Sequence, residues 1–287
     1  MTIWGGSSRF TLTVVTITVG FGTMRKTGGV KSMSTKELNL EIGTFLEGIN
    51  RGPFKCLEAE GDRSTSSHVK ECNKDIGDVF DCAVQQAWLD LCRTVSGAGN
   101  TKRKELEKRK KSLAEALREY FKGDPKTTDE AFDGWFGSIG CDLWESKTLT
   151  VGQAQKMINM AFKYLYCCTD LREEYTQHFA KCHMPLDSFT LNWYKDNCAC
   201  EKYHGEAWSK IDNVELYQSI VREIRDSFGD ETVGDATVLE KEFAIWHLEK
   251  EKKERKELKA SIKKIMNYES CSPELNSQLQ QLLDSIE

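Results

Sequence analysis

A chain of 287 residues that is 39% apolar and 10% aromatic can bury a sizeable core, which excludes disorder along its whole length. A formal net charge of -5 excludes polyanion binding through net charge alone. Eleven cysteines spread over the length, without the dense spacing of a secreted scaffold, point to free thiols in a reduced, cytoplasmic setting.

The first 32 residues differ from the rest. They contain Arg9, Arg25, Lys26 and Lys31, no acid, and a β-branched run from Thr11 to Val19. That run is too short for a membrane helix and too rich in threonine for a signal peptide, so no membrane partner is expected. Met33 opens Met-Ser-Thr-Lys-Glu-Leu, an ordinary cytosolic start. Residues 1–32 are therefore expected to be a mis-assigned start or a disordered leader, with an extra strand as the alternative. Without their four basic residues, 36 basic groups remain against 45 acidic ones. Residues 33–287 are expected to form a single all-α unit, a compact multi-helix globular fold. Prolines number only four, and the interior segments are rich in residues that lose little rotamer freedom in a helix.

In chain order, Leu38, Ile42, Phe45 and Leu46 predict a short helix over 36–49, and the Gly, Pro and Ser content of 50–74 predicts a loop. Val79, Phe80, Ala83, Val84, Ala87, Trp88 and Leu91 share one face of a helix over 76–92. A charged helix over 102–121 buries Leu106, Leu113, Leu117 and Tyr120 and ends at Gly123-Asp124-Pro125. One or two small helices are expected over 128–148, packing Phe132, Trp135, Phe136 and Trp144 inward. Ala154, Met157, Ile158, Ala161, Phe162 and Leu165 then form the best apolar stripe of the chain.

After a polar stretch, Pro185 bars a helix and Asp187 caps one over 188–194. Amphipathic helices follow over 212–228 and from Thr237 through Trp246, the latter continuing into the charged run 249–264. That run is expected to be a solvated helix face; a nucleic-acid arm is the lesser reading because glutamates interrupt its lysines. Ser272-Pro273-Glu274 starts a last helix ending near Leu283.

The residues that carry chemistry are Lys156, near the start of the apolar helix, and Asp187, at the head of the next. A lysine amine becomes a nucleophile when desolvation or a neighbouring cation lowers its proton affinity, and Lys163, two turns on, supplies such a cation. A carboxylate at a helix N-terminus is held ionised and suits the stabilisation of positive charge on a reacting sugar.

The segment from Val151 to Lys163, followed by Met184-Pro185-Leu186-Asp187-Ser188-Phe189-Thr190-Leu191, resembles the helix-hairpin-helix DNA glycosylase superfamily. With the later Ala207-Trp208-Ser209-Lys210-Ile211 and the 239–246 helix it looks most like the archaeal 8-oxoguanine glycosylase branch, over residues 149–247. The Leu-Pro-Gly-Val-Gly hairpin is absent; Gly152 remains, four residues before Lys156. The resemblance implies a DNA partner and base excision, with a damaged base flipped into a pocket where Trp193, Tyr194 or Trp208 stacks on it. Lys156 would form a Schiff base with the sugar, oriented by Asp187, while Lys156, Lys163, Lys181, Lys195, Lys202 and Lys210 would supply a local basic surface.

Two other readings stand beside it. Cys167, Cys168, Cys182, His183, Cys198, Cys200 and His204 crowd into 38 residues and make a zinc-type donor set, with Cys182, Cys198, Cys200 and His204 the candidates and buried apolar cysteines the alternative. The chain also resembles uncharacterised bacterial and phage helical proteins through the segments 182–188 and 207–212, which implies a non-enzymatic module with a protein partner. No Walker loop, dinucleotide fingerprint or Gly-x-Ser-x-Gly elbow occurs, so no cofactor is expected.

Overall fold

The computed structural model describes residues 34–48, 79–95, 100–145, 147–198, 203–229, 237–267 and 272–286. The expectations for residues 1–32 and for the 50–74 loop lie outside them. Among the described residues the fold is all-α and contains no strand. The helices are α1 (Thr35–Gly48), α2 (Val79–Leu91), α3 (Asn100–Lys122), α4 (Asp129–Trp144) and α5 (Val151–Cys167). They continue as α6 (Thr169–Glu174), α7 (Thr176–Phe179), α8 (Ser188–Asn197), α9 (Val214–Phe228), α10 (Val238–Met266) and α11 (Pro273–Ser285). Residues 129–144 form one helix rather than two, and the polar stretch after Cys168 holds the short α6 and α7. No described helix is long and apolar enough to cross a membrane.

Helix α5 is the axis of the molecule, because every one of its residues is buried. Helix α2 lies along it most extensively, with α4, α6, α9 and the Trp208–Lys210 turn against its other sides. A helix enclosed on all faces must start and stop against neighbours, not in water. Its N-terminus is closed by a capping box in which Thr150 Oγ1 accepts from the Gln153 amide at 3.1 Å and Gln153 Oε1 accepts from the Thr150 amide at 3.2 Å. One contiguous cluster of buried residues runs from Leu38 to Ile245, while Ile262, Leu283 and Ile286 form a separate small one where α11 meets the second half of α10.

Gly152 allows the close approach that fixes this start. Its amide donates to Ile211 O at 2.8 Å, and Thr150 Oγ1 donates to Ser209 O at 2.9 Å. A Cβ on Gly152 would lie 1.8 Å from Trp208 O, a backbone atom that cannot swing aside. Gly152→Ala is therefore expected to cost about 3 kcal/mol by overpacking. Gly134→Ala on α4, where nothing lies within 4 Å, is expected to gain about 0.5–1 kcal/mol through helix propensity. Urea unfolding of both variants reads the contrast; equal effects would sink it.

Candidate functional site

The segment after α7 is drawn against α5 by side chains of that helix, Gln155 foremost. Gln155 is fully buried and pairs with Leu186 as a second backbone would, donating to Leu186 O at 2.8 Å and accepting from Leu186 N at 3.1 Å. The same amide accepts from Asn159 Nδ2 at 3.0 Å and donates to Gly152 O at 2.9 Å. All its groups are thus used inside the core, where an unpaired one would cost about 1–3 kcal/mol.

Pinning Leu186 sets the next residue. Asp187 caps α8, its Oδ1 accepting from the Phe189 and Thr190 amides at 2.9 and 3.1 Å. Its Oδ2 accepts from Lys156 Nζ at 2.7 Å, and the two side chains are 15% and 8% exposed. Burial by itself would raise the Asp187 carboxyl, but the charge and hydrogen bond of Lys156 and the Thr190 amide outweigh it and hold the group below the ordinary carboxylate range. Lys156 Nζ also stands 5.9 Å from the centre of the Trp208 ring. The structure therefore brings together Lys156, Asp187, Trp208 and Gly152.

The other residues singled out in the sequence lie elsewhere. Trp193 stacks on Phe228 at 5.3 Å in the core, and Tyr194 is fully buried with its hydroxyl donating to Glu223 at 2.5 Å. Both rings pack in the core, away from the Lys156–Asp187 pair's Trp208 neighbour. Lys163 does not stand free beside Lys156 as a bare second cation. It is ion-paired with Glu242 of α10, both side chains 1% exposed, inside a box made by Phe45, Phe243 and Trp246 at 3.8, 4.5 and 5.6 Å from its nitrogen. Burial raises the Glu242 carboxyl against the pull of Lys163.

Among the described residues no three or more Cys, His, Asp or Glu side chains converge as a metal would require. Cys182 is buried and donates to His178 O at 3.5 Å, Cys198 is half-buried, His204 is exposed, and Cys200 lies outside the described residues, as does Lys202. Lys181 pairs with Asp129 at 3.4 Å, Lys195 leans on Tyr203 at 5.3 Å, and Lys210 is exposed.

A polar chain that sequence reasoning missed continues behind the site. Asn159 Nδ2 donates to Tyr217 OH at 3.2 Å; Tyr217 OH meets His183 Nδ1 at 2.7 Å; His183 Nε2 meets Asp133 Oδ1 at 2.7 Å; and Arg225 closes on both Asp133 oxygens at 3.0 and 3.1 Å. Polar residues inside an otherwise apolar stripe, Gln155 and Asn159 above all, were its only signal.

Comparison of the chain with family models, curated proteins and solved structures finds no match.

Two measurements test this electrostatic reading. Lys163→Met leaves Glu242 buried without its partner and is expected to cost about 3–5 kcal/mol, whereas Lys163→Met with Glu242→Leu recovers most of it. Denaturant unfolding that finds the double variant as damaged as the single one would contradict the pairing. Asp133 lies low, at about 2, because His183 and Arg225 overcome the effect of burial, and burial keeps the His183 imidazole below its usual range. A carboxyl depressed in the folded state stabilises above the unfolded value and loses that contribution as pH falls toward 2; a depressed imidazole loses it as pH falls below about 6.5. Stability should decline from pH 6.5 to 2, and Asp133→Asn should flatten the decline below pH 4. An unchanged acid limb would refute the assignment.

Proposed function

We propose that the protein is a base-excision DNA glycosylase and lyase acting through a Schiff base on Lys156. The observation that carries this reading is the 2.7 Å contact of Lys156 Nζ with Asp187 Oδ2, beside the Trp208 ring. The resemblance of residues 149–247 to helix-hairpin-helix glycosylases supports the same assignment of roles.

In the proposed reaction the Lys156 amine gives up a proton, for which Asp187 Oδ2 is the adjacent acceptor, and its lone pair attacks C1′ of the damaged nucleotide. The glycosidic C–N bond breaks, its electron pair leaves with the base, and the base takes the proton that Asp187 received. The C1′–O4′ bond then breaks as a proton of the attached amine nitrogen passes to O4′, leaving the ring-opened protonated imine. Once it has passed that proton on, Asp187 is again a carboxylate, favoured by two helix amides, and its charge faces the cationic imine. Trp208 offers the nearest aromatic face to the reacting amine.

The rival reading is a non-enzymatic helical interaction module, in which the same pair staples α5 to α8. It draws on the burial of Lys156, which is 6% exposed. Borohydride trapping on duplexes with 8-oxoguanine or an abasic site separates the two. A covalent adduct is expected with the native chain, none with Lys156→Gln, and a rate lowered about 10²–10⁴-fold with Asp187→Asn. No adduct and no base release from the native chain would leave the module reading in place.

A further inference from the structure

The charged second half of α10 is not charged evenly. At 100° per residue, Lys252, Arg255, Lys256, Lys259 and Lys263 fall within an arc of about 100°, while Glu254 and Glu257 fall on the opposite side and Glu251 flanks the arc beside Arg255. Glu249 borders the basic arc but is buried, 5% exposed, and engaged with Lys252 at 2.5 Å. Lys252 also reaches Asp196 at 3.6 Å, and Arg255 reaches Glu251 at 3.7 Å. Among the described residues no ion pair engages Lys256, Lys259 or Lys263. The five cations line a groove of about 520 Å³, floored by Ala260 and by Ile286 at the end of α11. Ile262, Leu283 and Ile286 pack the two helices together beneath it, so the cations sit on a braced surface.

We infer that this stripe grips the phosphate backbone of duplex DNA. From Lys252 to Lys263 the helix advances about 16 Å, so its five cations recur on average about every 4 Å of axis, comparable with the roughly 3.4 Å of axis per phosphate of one DNA strand. An apolar floor beside Lys256, Lys259 and Lys263, none of them held by an ion pair among the described residues, suits a sugar-phosphate strand better than a protein helix, which would bring its own apolar ridge. Glu242, the partner of Lys163, lies on the same helix roughly 15 Å along its axis from Lys252, so one rigid element joins the grip to the centre. The grip deepens the glycosylase reading and rests on it for its choice of duplex DNA, but it needs no reacting amine.

Fluorescence anisotropy of the full chain with a labelled undamaged duplex, repeated over a range of salt, tests it. Five phosphate contacts predict a slope of log affinity against log salt near about -4.5. The variant Lys256→Ala, Lys259→Ala, Lys263→Ala should shallow that slope by about 2.7, at 0.9 per phosphate. The variant Lys111→Ala, Lys253→Ala, Lys264→Ala removes the same charge from other exposed positions and should change it by less than about 1. Equal changes in the two triples, or no change in the first, overturn the stripe. Absence of salt-dependent duplex binding by the native chain also overturns it and makes an acidic protein face the occupant. Stripe-dependent binding that persists in Lys156→Gln, alongside a native chain that forms no borohydride adduct, upholds the grip and removes the catalytic reading alone.

Discussion

A helix buried on every side that carries two lysines sets the terms for the rest of this structure. An unpaired charge in such a place costs several kcal/mol, so each amine of α5 has to find a carboxylate inside the protein. Asp187 answers Lys156 from the head of α8, and Glu242 answers Lys163 from the first half of α10. These two demands tie the head of α8 and the first half of α10 to α5. The long α10 is held where Glu242 meets Lys163, and its aromatic neighbours Phe243 and Trp246 complete the box with Phe45 of α1.

The two pairs share a helix face and differ in what surrounds them. Lys163 and Glu242 are sealed at 1% exposure behind three aromatic rings, an arrangement suited to holding helices together. Lys156 and Asp187 are 8% and 15% exposed, next to the Trp208 turn. Asp187 is also charge-assisted by two backbone amides, which makes its ionisation independent of Lys156 to a degree that Glu242 lacks. The difference makes Lys156 the candidate for chemistry and Lys163 the structural member. Gln155 and Gly152 supply the registration: one pins Leu186, the other lets the Trp208 turn touch the start of α5.

Much of this was legible in the residues. The apolar stripe from Ala154 to Leu165, the capping signals at Thr150, Asp187, Thr237 and Ser272, and the boundaries near Pro185 and Pro273 are local features, because capping and 3.6-residue periodicity act within a turn or two. Lys156 and Asp187 were legible as a pair. The burial of Trp193 and Tyr194 was not legible, because an aromatic side chain near a candidate site has the same local pattern whether it faces solvent or Phe228. The polar chain from Asn159 to Arg225 could not be read at all, since its members lie on four segments far apart in sequence.

The sequence by itself determined the helices, their caps and the presence of charged residues on an apolar helix, because these follow from the spacing of neighbours along one chain. Only the tertiary structure decided which charge meets which. Long-range pairing depends on the register between helices, and that register comes from packing and from hydrogen bonds such as Gln155 with Leu186, not from local propensity. The same holds for α10, where glutamates interrupt the lysines along the chain but Glu254 and Glu257 lie across the helix from Lys256, Lys259 and Lys263.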